Sequence, residues 1–204
     1  MHQNSKLLFG QHAEKYIFEG AKVLEIGPDN FPSTYQSLCT KKTATWDSLD
    51  IYQSPKLTYS TTDPYSFPIP GNTYDIVISG QVIEHVQKVW VWMKEIARVM
   101  APGGLVITIA PASWPYHEHP VDCWRIYPEG MKALSEDAGL TVVECLWGTL
   151  EKPEFKHAIP GRSANEQDPN YRTITEQLAV SHNFPVEKSF DTFCVARKPI
   201  PVTI

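Results

Sequence analysis

Cysteine is scarce in this 204-residue chain: Cys39, Cys123, Cys145 and Cys194 stand far apart, with no C-x-x-C pair among them. That spacing argues against a disulfide framework and predicts reduced, partly buried thiols. No apolar run approaches the roughly 18 residues of a membrane span. The opening MHQNSKLLFGQHAEKY lacks the sustained apolar core of a secretory leader, so a cytoplasmic protein is expected. Positive charge is in deficit: 18 Lys and Arg against 23 Asp and Glu leave a net charge of -5. The chain therefore has no overall attraction to nucleic acid or to an anionic membrane surface, and neither is expected as a partner. Internal repeats and linkers are missing as well, and 42% hydrophobic content is enough for one substantial core. A single domain over 1–204 is expected, with an irregular insert at 148–188 where prolines and polar residues displace hydrophobic rhythm.

What is present is organised around KVLEIGPDN, residues 22–30. Val23, Leu24 and Ile26 form a short apolar run broken by Gly27 and Pro28, the pattern of a buried parallel strand entering a tight turn. In open α/β sheets, ligands bind in the crevice outside such strand ends. The dinucleotide fingerprint is not met, because Asp29 and Phe31 stand where further glycines would cradle a pyrophosphate.

Strands are then predicted over 44–52, 57–60, 74–79, 105–111, 141–147 and 189–198, the last antiparallel at or near the sheet edge. Helices are expected over 5–18, with Leu8, His12 and Tyr16 on one stripe, over 33–39, and over 88–100, with Val89, Met93, Ile96 and Met100 as the buried stripe. A further helix opens at Tyr127-Pro128-Glu129 and runs to Gly139, burying Met131, Leu134 and Ala138. Alternating strands and helices argue a three-layer α/β domain. At the end of the second strand, Asp50 is placed to accept hydrogen bonds from two ribose hydroxyls, with Asp47 as its competitor.

The acid two residues before Gly27, the string from Asp63 through Phe67-Pro68 to Tyr74-Asp75-Ile76-Val77, the G-Q-V-I-E-H-V run at 80–86 and the Pro-Gly-Gly turn at 102–104 together resemble class I S-adenosylmethionine (SAM)-dependent methyltransferases of the methyltransferase type 11 kind. The resemblance extends from about Lys22 to Leu140. It implies a Rossmann-like seven-stranded sheet with helices on both faces, and SAM as cofactor. By resemblance the cofactor is held by Glu25 at its amino acid end, by Asp63 at the adenine amino group, and by Gly27, Pro28, Asp50, Ile51, Pro64 and Gln81. His85, of the Glu-His pair, is expected near the reacting methyl.

Directly after the fifth strand comes PASWPYHEHPVDCWRIYPEG, rich in aromatics. His117, His119 and Cys123 are all zinc-ligand types, but their spacing matches no common pattern and a fourth ligand is not apparent, so no metal is expected. An acceptor pocket is the preferred reading, with Trp114, Tyr116, Trp124 and Tyr127 as flat walls and Asp122 and Arg125 orienting a polar substrate or pairing with each other. For a hydroxyl acceptor, His117 is the first choice of general base and His85 the second. The expected activity is methyl transfer to an oxygen or nitrogen of a small molecule or glycan. A protein acceptor, or a SAM-fold scaffold without turnover, remains as the alternative.

Overall fold

The computed structural model describes residues 3–114, 116–118, 120–151 and 189–201. Among the described residues, seven strands form one sheet: β1 (Lys22–Ile26), β2 (Thr45–Asp50), β3 (Tyr59–Ser60), β4 (Tyr74–Gly80), β5 (Met100–Ser113), β6 (Thr141–Gly148) and β7 (Phe190–Arg197). Their order is β3-β2-β1-β4-β5-β7-β6. β1 to β5 pair in parallel, and β7 runs antiparallel between β5 and β6, one place in from the edge. The α-helices are α1 (Gln3–Leu8), α2 (Thr34–Leu38), α3 (Val89–Val99) and α4 (Pro128–Asp137). Among the described residues, no helix is long and apolar enough to cross a membrane.

Alternation along the strands builds a separate core on each face, because successive side chains point to opposite sides. Leu24, Ile26 and Val77 meet Trp92, Met93 and Ile96 of α3 and Met131 of α4 on one face. Val23, Ile76, Ile78 and Phe193 meet Leu8, Phe9 and Ala13 of the N-terminal segment on the other. That segment is a helix of changing pitch: after α1 it tightens from a π turn at Phe9–Ala13 to a 3-10 turn at Glu14–Tyr16. The expected stripe divides accordingly. Leu8 is buried, whereas the His12 ring faces Glu144 of β6 at 3.3 Å and the Tyr16 hydroxyl donates to the same carboxylate at 2.7 Å.

The Pro-Gly-Gly reversal lies inside β5. Register slips from Tyr74↔Met100 to Ile76↔Leu105, so Ala101–Gly104 bulges out. Gly104 is required there, since a Cβ would stand 2.9 Å from the Ala101 carbonyl and 3.0 Å from that of Asp75.

Strand order reverses between β1 and β4. Such a switch point leaves the carboxyl ends of two adjacent strands facing a crevice that no crossover covers. The ends concerned are Ile26-Gly27 and Gly80-Gln81.

Candidate functional site

A cavity of about 600 Å³ opens at that switch point, within the size range of small-molecule sites. The ends of β1 and β2 contribute Ile26, Gly27, Pro28, Leu49, Asp50 and Ile51. The loop after β3 adds Pro64, Tyr65 and Phe67, and the segment after β4 adds Gln81, Val82 and His85. Trp92 of α3 closes the apolar side, and Pro120 and Val121 stand at the other end.

Gly27 has φ +70°, and a Cβ there would lie 2.4 Å from Val82 Cγ2. A side chain at this turn would fill the space between two cavity walls. Gln81 also adopts a left-handed backbone, φ +60°. Its side-chain Nε2 donates to Asp191 Oδ1 at 3.0 Å, while Oε1 is buried with no hydrogen-bond partner among the described residues. Asp191, wholly buried in β7, also accepts from Asn4 Nδ2 at 2.7 Å, so the rim of the cavity is tied to both ends of the described chain.

The two candidate acids of β2 separate cleanly. Asp50 sits at the strand end on the cavity wall, and its Oδ1 accepts the Tyr52 backbone N–H at 3.1 Å. Asp47 lies within the strand and accepts the Tyr74 hydroxyl at 2.8 Å.

Two other acids expected at the cofactor do not line the cavity. Asp63 is exposed and turns back to accept the Tyr65 backbone N–H at 2.9 Å, shaping the loop that presents Pro64 and Tyr65. Glu25 is 1% exposed. It points to the face opposite Leu24 and Ile26, where one carboxylate oxygen, Oε2, accepts both the Ser33 hydroxyl and Trp46 Nε1, the latter at 2.7 Å. Desolvation raises its pKa from 4.5 to about 7, against the lowering effect of those two donors. Ser33 in turn caps α2 by accepting Gln36 N–H at 2.9 Å, so Glu25 clamps the turn after β1 to β2. Of the three carboxylates expected along one groove, Asp50 is on the cavity wall, Asp63 bonds within its own loop and Glu25 bonds Ser33 and Trp46.

Beyond Gln81 the chain makes a 3-10 turn, Ile83–His85. His85 lines the cavity, and its Nδ1 is 2.5 Å from the Val121 carbonyl. Glu84 is 1% exposed, and neither of its carboxylate oxygens has a hydrogen-bond partner among the described residues. Burial pushes its pKa up to about 8. The Glu84 main-chain carbonyl accepts Cys123 N–H at 2.7 Å, and Trp124 Nε1 donates to the Val86 carbonyl at 2.8 Å, which stitches the segment after β5 over this turn. That segment brings His117 edge-on to His85, with ring centroids 5.0 Å apart. Asp122 fixes it: the carboxylate accepts His117 N–H at 2.7 Å and holds Arg125 in two parallel bonds of 2.6 and 2.7 Å. Arg125 lowers the Asp122 pKa to about 2, so Asp122 and Arg125 pair with each other.

The aromatic residues of this segment take different positions from a common wall. Trp124 packs against the core and Trp114 is at the surface. Tyr116 and Tyr127 are 71% and 58% exposed and do not face the cavity. His119 and residues 152–188 of the expected flap lie outside the described residues.

Some wall residues escaped sequence reading. Trp92 falls three residues after Val89 and so shares its helical face, a signal that was available. Val121, on the wall, and Asp191, which is not in the lining but accepts from Gln81, gave none, since each acts on a residue far away in the chain.

Residues 32–108 match the family model described as a methyltransferase domain. An uncharacterised methyltransferase of Mycobacteroides abscessus is 30% identical over 109 residues, which cover 48% of this chain and 42% of that protein. The chain thus spans less than half the length of the curated relatives it matches, norajmaline N-methyltransferase of Rauvolfia serpentina being covered to 38%. A SAM-dependent methyltransferase of Archaeoglobus fulgidus has the same fold at TM-score 0.61 and 16% identity, with 95% of this chain and 92% of that one superposed. The methyltransferase solved with the Trm112 activator of Haloferax volcanii superposes at TM-score 0.61 and 18% identity over 98% and 95% of the two chains. Residues 32–108 thus resemble a methyltransferase domain, and the chain as a whole has the fold of SAM-dependent methyltransferases.

Proposed function

We propose that the protein binds SAM in the switch-point cavity and transfers its methyl group to an oxygen or nitrogen of a small molecule or glycan. The observation that carries this reading is the presence, in the lining of one cavity, of a carboxylate at the end of β2 and of Gln81, whose buried amide oxygen lacks a donor among the described residues. SAM offers both complements, ribose hydroxyls and an ammonium group. Leu49, Ile51, Pro64, Tyr65 and Phe67 supply the apolar surface that a flat adenine ring needs. The missing Cβ of Gly27 leaves room for a ligand against the backbone.

Bound there, SAM supplies an electrophilic methyl on a sulfonium, and the protein's task is to align and dehydrate the two reactants. Asp50 fixes the ribose and Gln81 the amino acid end. A hydroxyl acceptor must also lose a proton, and the histidines that serve it stand at the Val121 end: His85 on the wall, His117 behind it. The net negative charge and the largely apolar cavity support a small acceptor over a polyanion.

Calorimetry with S-adenosylhomocysteine, followed by methyl transfer from labelled SAM to a panel of hydroxyl and amine acceptors, tests the reading. Asp50→Ala should weaken S-adenosylhomocysteine binding roughly 10- to 100-fold, the loss of a charged hydrogen-bond pair. Absence of binding in the parent protein removes the proposal. Binding without turnover favours a SAM-fold scaffold, a reading that Asp29 and Phe31, in place of the usual glycines, keep in view.

A further inference from the structure

We propose that Glu84, His85 and His117 form a binding site for a divalent first-row transition-metal ion at the Val121 end of the cavity. One potential ligand atom from each residue lies within 4.8 Å of the others. Ligands about 2.1 Å from a shared ion stand roughly 3.4 Å apart in a tetrahedral site, so closure by up to about 1.4 Å completes the set. Two imidazoles and a carboxylate suit zinc, iron or cobalt better than magnesium or calcium, which prefer oxygen throughout.

A second observation points to a ligand independently of this spacing. The Glu84 carboxylate is 99% buried, since 1% remains exposed, and no donor among the described residues meets either oxygen. Burial of an uncompensated carboxylate costs several kcal/mol, and buried polar groups in folded proteins are almost always satisfied. Arg125 is committed to Asp122 and bonds neither Glu84 oxygen. A cation between Glu84 and the histidines supplies what the protein's own donors do not.

The surroundings have the form of an outer ligand shell. Nδ1 of His85 is held by the Val121 carbonyl at 2.5 Å, which turns Nε2 toward Glu84 Oε1, 3.8 Å away. Nδ1 of His117 faces Asp122 Oδ2 at 3.4 Å, and that carboxylate is braced by Arg125. Imidazoles that bind metals are characteristically oriented through the other nitrogen by a carbonyl or carboxylate in this way. The set differs from the His117, His119 and Cys123 combination that the sequence brings to mind, because the fold folds the segment after β5 onto the Glu84-His85 turn. Because His85 is on the cavity wall, an ion here is placed to lower the pKa of an acceptor hydroxyl. That role rests on the methyltransferase reading; the site itself does not.

The test uses the full chain, stripped with a chelator, dialysed and titrated with Co²⁺. One saturable equivalent with visible d–d absorption, displaced by Zn²⁺, is expected. Glu84→Gln and His117→Ala should each weaken Co²⁺ binding at least about 10-fold. Melting curves without metal confirm that Glu84→Gln is folded, and added Zn²⁺ should raise Tm in the parent but not in this variant. The proposal is overturned if no saturable binding occurs, if it survives both substitutions, or if it is abolished by Cys123→Ser instead. S-adenosylhomocysteine calorimetry on the stripped protein separates the two readings: cofactor binding without Co²⁺ binding leaves only the methyltransferase, and the reverse leaves only the metal site.

Discussion

The ends of β1 and β4 are neighbours at the switch point and are built from similar parts, yet they have opposite chemistry. Each has a left-handed residue, Gly27 or Gln81, a glycine without room for a side chain, Gly27 or Gly80, and a glutamate that is 1% exposed. At β1 the glutamate is answered through one oxygen: Ser33 and Trp46 both donate to Glu25 Oε2, while Oε1 has no partner among the described residues. At β4 neither oxygen of Glu84 has a partner among the described residues. A buried carboxylate with two donors on one oxygen braces the turn it holds, whereas one with none is open to something that arrives from outside. The family resemblance gives the first glutamate a ligand-binding role; in the structure its Oε2 braces the turn after β1.

The largest expected effect is at Gly80. An added Cβ would meet the Tyr35 hydroxyl at 1.9 Å, and Tyr35 cannot retreat, being stacked on Phe9 at 4.5 Å and bonded to Ser5 at 2.5 Å. Gly80→Ala should cost about 3 kcal/mol, or on the order of 10 °C in Tm by calorimetry. A melt within about 1 kcal/mol of the parent would show that the β4 end is not packed as tightly as this comparison requires.

Next comes the pH dependence that belongs to Glu25. Its carboxyl moves from 4.5 to about 7 on folding, chiefly through desolvation, so the native state binds the proton more tightly. That contribution is fully present below about pH 4.5 and is lost as pH rises through about 7, because the unfolded chain then binds fewer protons than the native one. Glu25→Gln keeps an acceptor for Ser33 and Trp46 while removing the charge. Relative to the parent it should gain about 2–3 kcal/mol between about pH 5 and pH 8, read as a flatter plot of Tm against pH. Parallel plots would mean that Glu25 is not the group that titrates.

The smallest effect sharpens the contrast. Trp46→Phe removes one of the two donors that distinguish Glu25 from Glu84 and should cost about 1–2 kcal/mol in chemical denaturation. Its loss should also steepen the fall in stability with pH, since a donor to the charged form has gone.

The fold was largely legible because its strands are short apolar runs punctuated by glycine and proline, and α3 carries an unbroken helical stripe. Asp50 could be found from its place at the end of β2, since strand ends and the crevice are linked by topology. Asp63 matched a pattern but its side chain satisfies its own loop, an outcome set by local turn geometry. For Glu25, strict alternation with Leu24 and Ile26 already put it on the other face, but the partner that makes it a clamp, Trp46, depends on β2 register. The Glu84-His117 meeting was out of reach of spacing, because it is made by the main-chain bonds from Cys123 and Trp124 to Glu84, across a stretch with no periodic pattern.

The seat of β7 has a consequence for biosynthesis. Among the described residues β6 forms an edge with β7 as its one sheet neighbour, and Asp191 on that strand bonds the Gln81 amide. As the ribosome extends the polypeptide, β6 must wait unpaired until Phe190–Arg197 has emerged and slid in beside β5, and until then the rim of the crevice lacks its anchor. Assembly of the sheet and completion of the pocket are therefore one late, concerted event.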